Sequence, residues 1–276
     1  MNIKRLNPGA SPRAAFGDQL RRSRLEKGWT QVEAGLHLGC TGAHVSGVET
    51  ASKLPGRLFA VRADEVFSTG LLFQILWQAI KGRSFLEGFP EYLAEEAKAV
   101  EVRMFELDVI PGPLQTPEYA AAIAKADVAR GIIDETQAKE RLALLAARRR
   151  RLIQSPAGPY FYAVLNEGCL RRVVGGPAVM VRQLDALEQA SASPRITIQV
   201  APFALGEHRP FVLPISLLSL PDRSLIGYTE SEGQATLVRD AATLATWDRA
   251  YHHLQVGALS ELASLDKIRA AREENR

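Results

Sequence analysis

Between Thr30 and Glu49 the chain sets two runs of eight residues, 31–38 and 42–49, on either side of Gly39-Cys40-Thr41. A threonine precedes each run, and its hydroxyl suits the free backbone N–H groups at a helix start. Glu33 stands three residues after Thr30, the reciprocal position of a capping box. Gly39 has the freedom to end the first helix in a left-handed turn. Two helices of eight residues joined by three others are read as a helix-turn-helix, with Val45 and Val48 facing inward. The same stretch carries Gly35, Gly42 and Gly47, which oppose helix formation. Glycine inside a helix costs about 1 kcal/mol against alanine, so Gly35 and Gly47 together forfeit about 2 kcal/mol that a surrounding bundle must supply. Gly35 is read as a place of close helix packing, and Gly42 and Gly47 as leaving the exposed face of the second helix thin.

Neighbouring segments provide that bundle. FGDQLRRSRLEK, from Phe16, spaces Phe16 and Leu20 four apart on one side of a helix. Helical patterns at 57–67 and 71–80 complete five helices. Over residues 1–62, ten Lys and Arg face four Asp and Glu, a net charge of +6, while the remaining residues carry −3. A basic head on a mildly acidic body fits contact with a polyanion; a solvated basic face is the plainer alternative.

GRSFLEGFPEY, at 82–92, reads as a connection, giving domains 1–81 and 82–276. A helix is expected at about 91–107, then a proline-rich turn VIPGPLQTP, a helix from Glu118 and another over 134–153. PYFYAVLN (159–166) and RITIQV (195–200) read as strands, and 211–230 as a strand pair turning at PDRS. Helices are expected at 167–174, 178–190, 236–254 and 258–273. The fold class is thus an all-α five-helix helix-turn-helix bundle followed by an α+β domain with a small sheet of about four strands flanked by helices. The arginines at 148–151 read as a solvated helix face.

With these residues in view, the head resembles the Xre/Cro–cI-like DNA-binding domains, through Thr30-Gln31, Gly39 and Val45-Ser46-Gly47-Val48-Glu49. The resemblance implies that the third helix enters the major groove and that the second crosses the phosphate backbone. It makes Gln31 a phosphate anchor; Arg21, Thr30 and Lys53 are further candidate DNA-binding residues. Thr41, Gly42, Ala43, His44, Ser46 and Gly47 become groove-facing, and Arg24 with Glu49 a structural pair. No Arg, Asn or Gln lies on that face, so base readout would rest on His44, Thr41, Ser46, thymine methyl contacts to Ala43, and DNA shape. The body resembles the DUF5753 domain that follows such heads in many actinobacterial regulators, through VIPGPLQTPEYAAAI, LNEGCLRRVVGG, QLDALEQASASPRITIQVAPFALGEHRPF and YTES. Pro113 stands where that pattern has leucine.

The two resemblances imply a cytoplasmic, sequence-specific transcriptional regulator that binds a palindromic double-stranded DNA operator as a homodimer. Its C-terminal domain is expected to sense a small-molecule effector or a small partner protein of the DUF397 type. The rival reading is an antitoxin-like protein that sequesters such a partner and autoregulates its operon. Candidate ligand or partner residues are Gln115, Tyr119, Glu167, Arg171, His208 and Glu230, of which Glu167, His208 with Glu207, and Glu230 could converge at one edge of the sheet. Leu244, Trp247, Tyr251, Leu254 and Leu262 are candidates for contact between copies.

No phosphate loop, GxSxG elbow or HExxH motif occurs, so no enzyme activity and no cofactor are expected. Cys40 and Cys169 lack metal-ligand spacing and read as packing residues. His252-His253 face different directions and suggest no metal site. The first twenty residues contain no apolar core of a signal peptide, and the longest apolar runs are too short to span a bilayer, so no membrane association is expected.

Overall fold

The computed structural model describes residues 11–80, 88–231 and 234–276. They fall into two units that divide between Ala97 and Lys98. Most of the connection expected over 82–92 lies outside the described residues; its last four residues, from Phe89, are helical.

In the first unit, α1 (Pro12–Glu26) begins four residues before the expected start, because Ser11 accepts the Ala14 N–H (3.2 Å) and Pro12 takes a first-turn position where no N–H is needed. It is followed by α2 (Gln31–Leu38), α3 (Gly42–Glu49), α4 (Arg57–Phe67), α5 (Leu72–Ile80) and α6 (Phe89–Glu96). Phe16 sits at the centre of the bundle, 5.2 Å from Phe73 and 6.2 Å from Phe59 between ring centroids. Trp29 closes the cluster through Phe67 at 5.8 Å and stacks on His37 at 4.1 Å. Buried Asp64 ties α4 to α5 by accepting the Phe73 and Gln74 N–H groups (2.8 and 3.0 Å) and the Thr69 hydroxyl (2.7 Å). Burial raises its carboxyl above the usual range, against the opposing pull of those hydrogen bonds.

The second unit is built on a mixed six-stranded sheet. Its strands are β1 (Glu101–Glu106), β2 (Tyr160–Asn166), β3 (Ile196–Ala201), β4 (Ile215–Ser219), β5 (Leu225–Ser231) and β6 (Gln234–Val238), in the order β3-β2-β1-β4-β5-β6. The β1, β2 and β3 strands run parallel, and the others pair antiparallel. Between them lie α7 (Pro117–Ala129), α8 (Glu135–Arg149), α9 (Gly168–Arg171) and α10 (Pro177–Ser191); α11 (Ala241–Gly257) and α12 (Glu261–Glu274) follow β6.

The sheet has six strands rather than about four, because two segments expected to be helical are strands. The helix expected over 91–107 stops at Glu96, and residues 101–106 form the strand β1 at the middle of the sheet. Its charged residues disguised it. Arg103 is held by Asp248 (2.6 Å) and Glu101 (3.2 Å), an arrangement made by the sheet and α11 rather than by the local sequence. Residues 234–238 are β6, not the start of a helix; α11 begins only after Asp240, which caps it by accepting the Thr243 N–H (2.8 Å).

Leu244, Tyr251 and Leu254 do not face outward as candidates for contact between copies. They are buried in the core with Phe105, Val164, Phe211 and Leu217, and Trp247 packs against that core. The Tyr251 hydroxyl proton is shared between the Met104 and Tyr162 carbonyls (3.3 and 3.2 Å). Of the five, Leu262 is exposed, at 70%. Gln183 on α10, wholly buried, donates to the Leu114 carbonyl (2.9 Å) and accepts the Thr116 N–H (2.7 Å), which pins the proline-rich turn after β1.

Candidate nucleic-acid interface

The α2–α3 pair is fixed first by its ends. The Thr30 hydroxyl accepts the Glu33 N–H (3.2 Å), and the Glu33 carboxylate accepts the Thr30 N–H (2.7 Å). Those hydrogen bonds hold the Glu33 carboxyl below its usual range. Gly39 ends α2 at φ 70°, and Thr41 opens α3 by accepting the His44 N–H (3.2 Å). Gly35 is where the second helix meets the turn: a Cβ there would lie 2.7 Å from the Cys40 carbonyl oxygen and 2.9 Å from the Gly42 nitrogen. Arg62, which no sequence motif singles out, reaches from α4 to the His37 carbonyl (3.1 Å) and covers the exit of α2.

Beneath the pair lies an ionic knot. Glu49, wholly buried, accepts from Arg24 Nε (2.5 Å) and Nη2 (3.0 Å) and from Gln31 Nε2 (2.8 Å), with Arg21 Nε 3.6 Å away. Arg24 also donates to the Trp29 carbonyl (2.7 Å). One carboxylate thus fixes α1, α2 and α3 to one another. The side chains of Gln31 and Arg21 point into this knot, so the start of α2 offers a phosphate chiefly its backbone N–H groups at Gln31 and Val32, which no intrahelical acceptor takes.

On α3, Thr41 and Ala43 are exposed, while Gly42, His44 and Ser46 are half-buried. His44 leans edge-on against Phe59, 5.3 Å between centroids. Gly47 is buried, and a Cβ there would lie 2.8 Å from the Lys53 stem, so this glycine is a seat for Lys53 rather than part of an open face. Gly42 packs on Val32, whose Cα would be 3.0 Å from an added Cβ. Val32 itself is 64% exposed beside the start of α3, an apolar contact the sequence reading missed. The i to i+4 spacing of Val32 and Leu36, both exposed, was the available signal.

In the second unit the polar candidates separate. Gln115 donates to the Ile110 carbonyl (2.7 Å), and the buried Tyr119 hydroxyl accepts the Ile110 N–H (3.2 Å); burial pushes Tyr119 up to about 12. Both brace the turn after β1. Glu167 and Arg171 do meet (2.9 Å), together with Lys267 (3.1 Å) and the Phe203 N–H (3.1 Å). Burial alone would raise Glu167, but those partners hold it below the usual range. His208 is exposed, 3.7 Å from Glu207, and Glu230 accepts the Tyr228 hydroxyl (2.5 Å). The ends of β2 and β5 share one edge of the sheet but stand three strands apart, about 14 Å at the usual strand spacing. Glu167 and Glu230 therefore belong to different clusters.

Residues 15–70 match the family model of a helix-turn-helix domain, which points to a DNA-binding regulator. Residues 89–270, most of the chain, match the model of a domain of unknown function, DUF5753. The chain belongs to the DUF5753 family. No curated protein and no solved structure matches it.

The DUF5753 match includes α6, which packs with α1 and α5 in the first unit. Within the DUF5753 sheet the most perturbed carboxyl among the described residues is Glu106, at the end of β1, in the stretch expected to be helical. It is crowded by protein yet keeps an opening to solvent. Burial first, then the charges of Glu230 and Asp108, push it up to about 8, against the pull of Arg148. Cys169 beside it donates to the Glu106 carbonyl (3.5 Å), and burial raises its thiol. Among the described residues no group of His, Cys, Asp and Glu is arranged to hold a metal ion, and no helix is long and apolar enough to cross a membrane.

Proposed function

We propose that this protein is a sequence-specific transcriptional regulator without enzymatic activity, acting in the cytoplasm and binding a palindromic operator as a homodimer. The observation that carries the reading is the knot at Glu49, which holds α2 and α3 at a fixed angle while leaving Thr41, Ala43 and the edges of His44 and Ser46 toward solvent. Rigid presentation of one helix is what major-groove reading requires. Affinity rests on phosphates, through Lys53 and the backbone N–H groups that open α2. Discrimination rests on His44, Thr41 and Ser46, on thymine methyl contacts to Ala43 and Val32, and on DNA shape. A homodimer is favoured because one head spans a single half-site, and two heads about 34 Å apart read two. The DUF5753 domain is read as the sensor of a small ligand or partner protein.

Selection of bound duplexes from a random pool tests this. One enriched, roughly palindromic motif is expected, lost on Ala43→Glu, which sets a carboxylate against the groove. An unenriched pool, or a motif indifferent to that substitution in a folded protein, overturns it.

A further inference from the structure

The strand β3 is an edge of the DUF5753 sheet. Phe161 N–H donates to the Arg195 carbonyl (2.8 Å) and Glu167 N–H to the Ala201 carbonyl (2.9 Å). With the parallel register of β2 and β3, odd-numbered residues of β3 therefore turn their backbone groups toward β2, and Ile196, Ile198 and Val200 turn theirs outward. The outward groups at both ends find partners within the unit. Ile196 N–H donates to the Ser193 carbonyl (3.0 Å). Val200 N–H donates to Ser264 Oγ (2.9 Å), and its carbonyl accepts the Leu259 N–H (2.9 Å). Ile198 is different. Neither its N–H nor its C=O has a hydrogen-bond partner among the described residues, although the residue is only 3% exposed.

A buried residue whose backbone donor and acceptor both lack a protein partner is rare in a folded chain, and such groups are met by water or by a ligand. Ile198 also lines a cleft of about 240 Å³, together with Leu262, Leu265, Ile268, Ser191 and Glu261. The cleft is large enough for a branched apolar group, since a cavity of about 150 Å³ holds benzene. The geometry of the open groups is equally restrictive. A strand residue presents its N–H and C=O on one side, and its complement is a C=O and an N–H flanking a single carbon, as in one amino-acid residue of an opposed strand. A longer strand cannot continue alongside, because Leu259 and Ser264 already occupy the outward groups of Val200.

We propose that this cleft binds a single apolar amino-acid unit with both ends blocked, an N-acyl amino acid amide or ester, its side chain among Leu262, Leu265 and Ile268 and its N–H and C=O exchanged with Ile198. The inference rests on the reading of the DUF5753 domain as a ligand sensor and places the ligand.

The test is a titration of the full-length, ¹⁵N-labelled protein with N-acetyl-leucine methylamide, followed by amide chemical shifts. Saturable shifts centred on Ile198 and residues 261–268 are expected. The analogue methylated on the leucine nitrogen lacks the N–H and should bind about ten-fold more weakly, the cost of one hydrogen bond left unmade. Leu265→Trp, which fills the cleft, should abolish the shifts; Leu262→Asp, at an exposed position that leaves the fold intact, should weaken binding in the same direction. The proposal is overturned if the probe produces no saturable shifts, or if the methylated analogue binds equally well. Shifts that survive both substitutions also overturn it. A capped pentapeptide with central leucine that binds more than ten-fold tighter than the probe overturns it in favour of a docked strand. Operator affinity measured with the probe separates the two readings: binding at Ile198 without change in operator affinity keeps the site and removes its regulatory role.

Discussion

Arg24 and Glu49, twenty-five residues apart, form a two-pronged ion pair of 2.5 and 3.0 Å inside the head, with the carboxylate fully removed from solvent. Such a pair is worth little against an apolar replacement but is costly to break, because the survivor remains buried and charged. Arg24→Ala should therefore destabilise the head by about 3–5 kcal/mol. Urea unfolding followed by Trp29 fluorescence measures it. The double variant Arg24→Met with Glu49→Leu should recover much of that loss while losing the grip on Gln31, and with it operator affinity.

The glycines of the helix pair should respond unequally to alanine. Gly35→Ala drives a methyl into the Cys40 carbonyl and the Gly42 backbone, neither of which can yield without moving the turn. A loss of about 1–3 kcal/mol is expected, as for overpacked cores. Gly47→Ala meets the Lys53 stem instead, at 2.8 Å from Cγ and Cδ and 3.2 Å from Cβ, so the loop carrying Lys53 must give, which offsets the helix preference of about 1 kcal/mol that is gained. Denaturation midpoints should therefore fall for the first and change little for the second.

Lys53 and Ala43 should separate affinity from specificity. Lys53→Ala is expected to weaken binding to all duplexes alike and to reduce the slope of log K against log salt by about 0.9. Ala43→Leu should change the preferred base at one position per half-site with the salt slope intact. Filter or anisotropy titrations at several salt concentrations distinguish the two outcomes.

Glu106 makes stability depend on pH. Its folded carboxyl keeps its proton up to about 8, whereas the unfolded chain releases it near the ordinary value of 4.5. The native state then binds more protons between these values, so stability falls as pH rises from about 4.5 to 8 and is unaffected by this group beyond. Glu106→Gln removes that loss. The variant's thermal midpoint should exceed that of the parent by a margin that grows from pH 5 to pH 8, and a constant margin would refute this.

Gln183→Leu strands the Thr116 N–H and the Leu114 carbonyl in the interior, at about 1–3 kcal/mol for each group. The same substitution should loosen the turn after β1, read as faster hydrogen exchange at Thr116.

The sequence by itself determined the parts governed by neighbours a few residues away. The ends of α2 and α3 follow from Thr30, Glu33, Gly39 and Thr41, because caps and left-handed turns are local devices. The ion pair of Arg24 and Glu49 was legible too, through resemblance to a known head. Tertiary structure alone decided the rest. A charged segment, Glu101–Glu106, became the central strand because β2 and β4 pair with it from both sides and Asp248 meets Arg103. Gly47, expected on a bare reading face, is buried against Lys53, and Gln31 gains a hydrogen bond to Glu49 from across the bundle. The open backbone of Ile198 has no trace in the letters around it, since it depends on which strand lies at the sheet edge and where α12 begins. These outcomes rest on contacts between residues distant in the chain, whose free energies exceed the local preferences that a sequence pattern records.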